Sequence, residues 1–331
     1  MIRSRLLATL LLGLLAQTSL AQPDTVTGTA PAAGGPVFNG PAVPGAVAAT
    51  DPLATDALGL PLSSVSITLN GRTTVVDMED PTNPLVLIQT TRGDMVIELF
   101  PAEAPLTVQN FLALADGSKP FFDTNSGVEV QRPFYDGLMF HRVIAGFIIQ
   151  AGSPTGGGDG GPGFTVPDEI NATSLGLDQM PLIDSEGYPH PLLGIADQAA
   201  FQQTILKPLY AAMGVRSDAD IAQRSIDIES RLRGMSLKAF YELLGYRYME
   251  TGLSRAPLRG MLAMASSGPG TAGSQFFLTL ADAPWLAGRH TVFGKLRAGQ
   301  AVLDLIGRMP VDALQQPLEP VSILQIRRIP L

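Results

Sequence analysis

The strongest constraint on the fold of this chain is a series of short apolar runs separated by turn-forming residues. Two of them, residues 85–89 and 95–100, flank a polar stretch and have the pattern of a β-hairpin. Further runs follow at residues 146–150, 261–264, 276–280, 291–296 and 321–329. Amphipathic helices are predicted at residues 102–115 and 300–308. Many short strands with only two helices among them predict a mainly β fold, in the form of a closed antiparallel barrel.

Composition limits the classes of function. The chain has 331 residues, of which 45% are apolar and 16% charged, so it can bury a sizeable core. Its formal net charge of −8 gives no support to nucleic-acid binding or to anchoring on anionic lipid. There is no cysteine, which excludes disulfides and attachment of lipid through a thiol. The three histidines are widely separated, so we expect no zinc site.

Residues 1–21 have the pattern of a cleavable signal peptide. Arg3 and Arg5 precede an apolar stretch from Leu6 to Leu15, and Ser19-Leu20-Ala21 forms a small-x-small cleavage site. An uncleaved membrane anchor is the alternative, but the apolar stretch is well short of the roughly 20 residues that span a bilayer. We therefore predict an extracytoplasmic protein, in the periplasm, in the cell envelope or secreted, without a stable membrane anchor.

The rest of the chain divides by composition. Residues 22–61 are rich in Pro, Gly and Ala and predict a flexible linker. Residues 62–83 predict an extra hairpin turning at Asn70-Gly71. The main domain is predicted to occupy residues 84–331, interrupted by a helical insert at residues 171–257.

The insert has helical signals of its own. An apolar residue recurs every four positions at Phe201, Ile205, Leu209 and Met213, although Pro208 should kink or restart that helix. Ser217 and Asp220 have the spacing of a capping box, and Ser236 begins a further helical stretch that ends at Gly245. These signals predict a small helical subdomain. It either stabilises the fold or contacts a protein partner, and the sequence leaves both open.

Three motifs in the main domain carry the chemistry. Phe140–Gln150 reads F-H-R-V-I-A-G-F-I-I-Q, Gly273–Phe277 reads G-S-Q-F-F, and Trp285–Gly294 reads W-L-A-G-R-H-T-V-F-G. In this order they resemble the cyclophilin family of peptidyl-prolyl cis/trans isomerases. The resemblance covers about residues 84–170 and 258–331. It implies an eight-stranded closed barrel flanked by two helices, and an enzyme without a cofactor that acts on proline-containing segments of unfolded or folding proteins.

The resemblance also implies roles for individual residues. The family's catalytic positions correspond to Arg142, Phe147, Gln150, Phe277 and His290. Its substrate contacts correspond to Ile148, Ala265, Ser266, Ser267, Gln275, Trp285 and Leu286. Arg142 would donate to the proline nitrogen, and Gln150 would orient Arg142. Three positions depart from the family pattern, because Ile148 stands where many members carry Met, Ser266 where many carry Asn, and Ser267 where many carry Ala.

Two other interpretations compete with an isomerase. Residues 156–161 formally match the dinucleotide pattern G-x-G-x-x-G, but Pro162 follows, so no helix can begin there to receive a pyrophosphate. The alternative of a different class is a low-turnover proline-peptide binding or chaperone-like scaffold that acts through the helical insert. Turnover of Xaa-Pro peptides distinguishes the two, because a scaffold would bind without accelerating rotation.

Overall fold

The computed structural model describes residues 63–69, 72–124 and 126–330 of the chain. The predicted signal peptide, the linker of residues 22–61 and the Asn70-Gly71 turn lie outside the described residues. The chain divides into two compact units, and among the described residues one unit is Gly176–Gly245 and the other is the remainder. The domain boundaries drawn from the sequence stay a prediction.

The larger unit is built on an eight-stranded antiparallel sheet, which confirms the predicted fold class. Its strands are β3 Leu85–Thr90, β4 Gly93–Leu99, β7 Arg142–Ile144, β8 Ile148–Ala151, β9 Met261–Met264, β10 Phe276–Thr279, β11 Val292–Ala298 and β12 Ile323–Ile329. They lie in the order β12-β3-β4-β11-β9-β10-β8-β7. The two ends of this order meet just before β7, where Phe140 N–H donates to the Val321 carbonyl at 2.9 Å and Ile323 N–H donates to the Leu138 carbonyl at 2.7 Å.

Alternation along the strands divides their side chains between two faces. Phe276 and Leu278 of β10 lie in the main core with Ile149 of β8. Phe277 and Ile148, one position away on each strand, belong to a second apolar cluster. Successive strand residues point to opposite faces, so one sheet serves both as the wall of the core and as the floor of a surface site.

Two helices pack against the sheet, as the sequence predicts. Helix α1, Pro105–Asp116, begins with proline in its first turn, and Gly117 caps its end with a φ of 77°. It contributes Val108, Phe111 and Leu114 to the main core. Helix α7, Gln300–Gly307, contributes Leu303 and Ile306.

Two small hairpins accompany the main sheet. The first joins β1, Ser63–Leu69, to β2, Arg72–Met78, and packs Ile67, Val76 and Met78 against Leu85 and Val96. The second joins β5, Phe121–Asp123, to β6, Val128–Val130, and the sequence did not predict it. The predicted strand at residues 146–150 also differs from expectation, because β8 begins at Ile148. β7 and β8 form a hairpin that turns at Gly146, where φ is 70°.

The unit Gly176–Gly245 is helical. Its helices are α2 Gln198–Phe201, α3 Lys207–Met213, α4 Asp218–Gln223, α5 Ser225–Gly234 and α6 Leu237–Leu243. A π-helical segment, Gln202–Leu206, precedes α3, which has Pro208 in its first turn. Proline cannot donate an N–H to the preceding turn, so the helix restarts there. Ser217 and Asp220 form the predicted capping box of α4. In the part of the chain that the structure describes, no helix combines the length and apolarity needed to cross a membrane.

Candidate active site

A row of directly paired residues crosses five strands on the face of the sheet that lies opposite the main core. Arg142 on β7 pairs with Gln150 on β8, and Gln150 pairs with Phe277 on β10. Phe277 pairs with Ala263 on β9, which in turn pairs with Val292 on β11. Directly opposite residues in an antiparallel ladder project from the same face. The row therefore places a guanidinium two strands away from a phenyl ring on one surface.

The middle of this row is apolar. Ile148 and Phe277 are buried in the second cluster, and Phe147, Ala265 and Leu286 pack against it while remaining partly exposed. The Phe147 and Trp285 rings approach with centroids 5.7 Å apart. The Phe277 ring meets the His290 ring edge-on at 5.4 Å. These aromatic and aliphatic side chains form a partly open apolar pocket of the kind that holds small apolar groups.

The charged end of the row is Arg142. Its side chain is half-buried, and its Nε donates to Oε1 of Gln315 at 2.8 Å. Burial lowers the pKa of the Arg142 guanidinium. Arginine nevertheless stays protonated at neutral pH, so a positive charge is held at the edge of an apolar pocket. A partly desolvated charge acts more strongly on a bound dipole than one in water.

Amide groups line the neighbouring part of the site. Gln150 Nε2 donates to Oε1 of Gln275 at 3.0 Å. Gln275 Nε2 donates in turn to the carbonyls of Gly158, at 2.9 Å, and Gly160, at 3.0 Å. This series of hydrogen bonds holds the glycine-rich loop, residues 156–161, against β8 and β10. The formal dinucleotide pattern thus lies in a surface loop, as its proline predicts.

His290 is a neutral group in this arrangement. Its Nδ1 lies 3.1 Å from the Met264 carbonyl and 3.4 Å from Oγ of Ser266. Burial, with a smaller contribution from the charge of Arg289, lowers the pKa of His290 to about 4. A carbonyl can only accept, so the Met264 contact assigns the proton to Nδ1 and leaves Nε2 as an acceptor.

The loop that follows β9 is held by Thr271 from within and by Asp168 from outside it. Thr271 Oγ1 accepts from the backbone N–H of Ser267 at 3.0 Å and of Gly268 at 3.1 Å. Asp168 accepts from the Gly270 N–H at 2.8 Å. Ser267 is exposed and hydrogen-bonded inside this loop, whereas Ser266 contacts His290. The two serines therefore differ in how closely they approach the pocket.

Comparison with known proteins identifies the family. A family model described as cyclophilin type peptidyl-prolyl cis-trans isomerase/CLD matches residues 85–328. The chain belongs to this family. The cyclophilin is 33% identical to peptidyl-prolyl cis-trans isomerase B of Streptomyces anulatus over 239 residues, which cover 71% of this chain and 91% of the relative. It is 32% identical to peptidyl-prolyl cis-trans isomerase A of Mycobacterium tuberculosis (strain ATCC 25618 / H37Rv) over 241 residues, which cover 72% of this chain and 88% of the relative.

A similar solved structure is also a cyclophilin. The crystal structure of a Cryptosporidium parvum cyclophilin type isomerase in the presence of the dipeptide ala-pro is 25% identical to this chain. It covers 75% of this chain and 99% of its own, with a TM-score of 0.43. With the family established, the chain is an enzyme of the peptidyl-prolyl cis-trans isomerase class.

The structure of this cyclophilin brings together most of the residues that the sequence points to. The apolar cluster contains Phe147, Ile148, Ala265, Phe277 and Leu286. Ring contacts add Trp285 and His290, and hydrogen bonds join Gln150 to Gln275. Their individual roles stay predictions.

Two features differ from the sequence-based expectation for Arg142. Gln150 was expected to orient Arg142, but its amide donates to Gln275, and Gln315 accepts from Arg142. Gln315 lies in a loop outside all three motifs, 173 residues from Arg142. A glutamine in such a loop carries no signal of function, so sequence reasoning missed it.

Proposed function

We propose that this isomerase accelerates rotation about Xaa-Pro bonds by stabilising the twisted amide with Arg142 while the proline ring occupies the pocket over Phe277. The observation that supports the proposal is the paired row Arg142, Gln150 and Phe277 across three adjacent strands. Neighbouring strands lie about 4.8 Å apart, so the Arg142 and Phe277 backbones are separated by roughly 10 Å. An arginine side chain can span most of that distance, which brings its donors above a ring bound at Phe277.

The reaction needs no covalent chemistry. Rotation about a peptide bond disrupts its partial double-bond character against a barrier of roughly 18–20 kcal/mol. In the twisted state the proline nitrogen regains its lone pair and accepts a hydrogen bond, which a planar amide nitrogen does not. A donor placed at that nitrogen therefore binds the transition state more strongly than the ground state. Removing roughly 7 kcal/mol from the barrier corresponds to about 10⁵-fold acceleration.

His290 has a role in shape and hydrogen bonding in this mechanism. With a pKa of about 4 it is neutral at physiological pH, and no proton has to move during rotation. Its edge-on contact with Phe277 fixes one wall of the pocket. The site thus combines a fixed charge, an apolar pocket and neutral amides, which suit a reaction governed by binding and electrostatics.

Substrate kinetics test this function. We expect the chain to accelerate cis-to-trans relaxation of a short Ala-Pro peptide and to leave a matched Ala-Ala peptide unbound. Phe277→Ala enlarges the pocket and should raise KM for the Ala-Pro peptide about tenfold or more. A chain that binds the peptide with unaltered relaxation would instead be a binding protein.

The proposed substrates are proline-containing segments of exported proteins during folding. The support is the signal-peptide pattern of residues 1–21 with Arg3, Arg5 and the Ser19-Leu20-Ala21 cleavage site. Fusing residues 1–40 to a reporter enzyme that is active only outside the cytoplasm tests export. Leu11→Arg, which interrupts the apolar stretch, is the matched control and should abolish the reporter signal. Equal signals from the two fusions would contradict export through this segment.

The helical unit supplies the alternative, a scaffold that binds a protein partner. Within Gly176–Gly245 a cavity of about 440 Å³ lies beside the π-helical segment, and Leu206, Tyr210 and Ile221 are among its lining residues. Tyr210→Arg would fill this cavity with charge. Under the isomerase proposal the variant turns over short Xaa-Pro peptides at the rate of the unsubstituted chain. Loss of binding to an unfolded, proline-rich client with unchanged peptide turnover would transfer client recognition to the helical unit.

A further inference from the structure

The conformation of Gln315 is unusual in the described chain. Its φ is 66°, and it is the one non-glycine residue with a positive φ among residues 63–69, 72–124 and 126–330. Side chains with a Cβ seldom adopt this left-handed region, and they keep it only where surrounding contacts hold the residue in place. Strain of this kind is concentrated at functional sites.

The loop around Gln315 is closed on itself by hydrogen bonds. The Leu318 N–H donates to the Pro310 carbonyl at 2.9 Å, and the Gln315 N–H donates to the Asp312 carbonyl at 3.1 Å. The Asp312 carboxylate accepts from the backbone N–H groups of Leu314, at 2.8 Å, and Gln316, at 2.9 Å. These bonds fix the backbone on both sides of Gln315, so the left-handed residue belongs to a built turn.

Gln315 binds two consecutive residues of β7. Its backbone carbonyl accepts from the Val143 N–H at 2.8 Å, and its side-chain Oε1 accepts from Arg142 Nε at 2.8 Å. β7 lies at the end of the strand order, where its outer edge has no neighbouring strand in the sheet. One residue therefore fixes both the edge strand and the guanidinium that the strand carries.

We propose that Gln315 is the positioning residue for Arg142 in this reaction, an inference that rests on the proposed role of Arg142. An arginine side chain has considerable rotamer freedom, and a bond to Nε restricts its last torsions while leaving both terminal nitrogens as donors to a substrate. The acceptor is a neutral amide, so it orients the guanidinium without neutralising its charge. A carboxylate at the same place would form an ion pair with Arg142 and compete with the bound peptide for its donors.

Substitutions at Gln315 separate its hydrogen bond from its backbone role. Gln315→Met keeps the length of the side chain and removes the acceptor oxygen. Gln315→Asn keeps an amide that tolerates a left-handed φ but is shorter, so it controls for the backbone. We expect kcat/KM for a short Xaa-Pro peptide to fall about tenfold in Gln315→Met, mainly through kcat, because a preorganised donor acts in the transition state. Gln315→Glu should also lower kcat/KM, because its carboxylate would form an ion pair with Arg142.

A double-mutant cycle with Arg142→Ala decides between positioning and general stability. If Gln315 acts through Arg142, then Gln315→Met has no further effect on kcat/KM in the Arg142→Ala background. An equal loss in both backgrounds would show a structural effect and overturn the inference. Unchanged kcat/KM in Gln315→Met with a low value in Arg142→Ala would also overturn it, while the proposed function stands. A fully active Arg142→Ala would reject the proposed role of Arg142 itself.

The NMR signal of Arg142 Nε–H gives a second readout that does not depend on turnover. In the unsubstituted chain this proton should exchange slowly with water and show a shift typical of a hydrogen bond. Gln315→Met should make its exchange fast while the backbone signals of β8 and β10 keep their positions. Equally slow exchange in both chains would contradict the assigned bond.

Discussion

Gln150 and Gln275 join their side-chain amides across β8 and β10, with Nε2 of Gln150 donating to Oε1 of Gln275 at 3.0 Å. Gln275 uses its own amide nitrogen to bind the carbonyls of Gly158 and Gly160. The edge of the apolar pocket is therefore connected to the glycine-rich loop through side chains. Substitution of one glutamine should therefore alter the hydrogen bonds of the other glutamine and of the loop.

Gln275→Met should raise KM for Xaa-Pro peptides about three- to tenfold with a smaller effect on kcat, because the glycine-rich loop loses its two bonds to the site. A double-mutant cycle with Gln150→Met should show a coupling free energy of about 0.5–1.5 kcal/mol. Gln223→Met, at an exposed position on α4, is the control and should leave the kinetics unchanged. Additive effects of the two substitutions would show that the bond does not couple them.

The free energy of unfolding should fall as the pH is lowered from about 6.5 towards 4, in part because of His290. Burial lowers the pKa of His290 to about 4, whereas an unfolded histidine titrates near 6.5. The unfolded chain therefore binds more protons than the folded chain in this window, and acid favours unfolding. Urea titrations at pH 7 and pH 5 measure the loss, which should be smaller in His290→Gln. Identical pH dependence in the two chains would contradict the buried neutral histidine.

Gly152→Ala should destabilise the fold by about 1–3 kcal/mol and lower turnover. Gly152 directly follows β8 with a φ of 91°, and a Cβ there would lie 2.9 Å from Cα of Gln275. To relieve that overlap, β8 or β10 has to move, and the position of Gln275 changes relative to β8. Gly161→Ala is the matched control, since a Cβ at Gly161 meets no atom within 4 Å. Chemical denaturation compares the two variants, and equal stabilities would contradict this close approach.

Glu98→Gln should lower the free energy of unfolding by about 2–4 kcal/mol. Glu98 is fully buried, and its carboxylate accepts from Nε of Arg297 at 2.6 Å and from Nδ2 of Asn83 at 2.8 Å. Neutralising it leaves the buried Arg297 with only Glu79 as an acidic partner in the described structure. Glu319→Gln, at an exposed pair with Arg92, should change stability by less than about 1 kcal/mol. Thermal unfolding measures the loss of stability in the two variants. A similar fall in melting temperature in both would contradict the prediction.

Local patterns were sufficient to predict much of the fold. The alternation that places Phe276 in the core and Phe277 on the opposite face follows from the period of a strand. Helix α1 is recognisable from its apolar positions. The three motifs likewise indicate the pocket residues, because each motif carries several of them at fixed spacing.

The contacts of Arg142 could not be predicted in the same way. Its partner Gln315 lies 173 residues away, in a loop with no regular period. The hydrogen-bond partner of Gln150 was hidden for a related reason. Its backbone pairs with both Arg142 and Phe277, and the packing of the site decides which neighbour its amide reaches. Side-chain hydrogen bonds between distant segments depend on tertiary structure, which a local pattern does not contain.

The role of Arg142 is tested by the cis-to-trans relaxation of an Xaa-Pro peptide, measured for the unsubstituted chain and for Arg142→Ala. Arg328→Ala, at an exposed arginine on β12, is the control, and circular dichroism checks that all three chains are folded. We expect acceleration by the unsubstituted chain and by Arg328→Ala, with at least a tenfold loss in Arg142→Ala, equivalent to about 1.4 kcal/mol. Equal acceleration by all three chains would contradict the central role of Arg142.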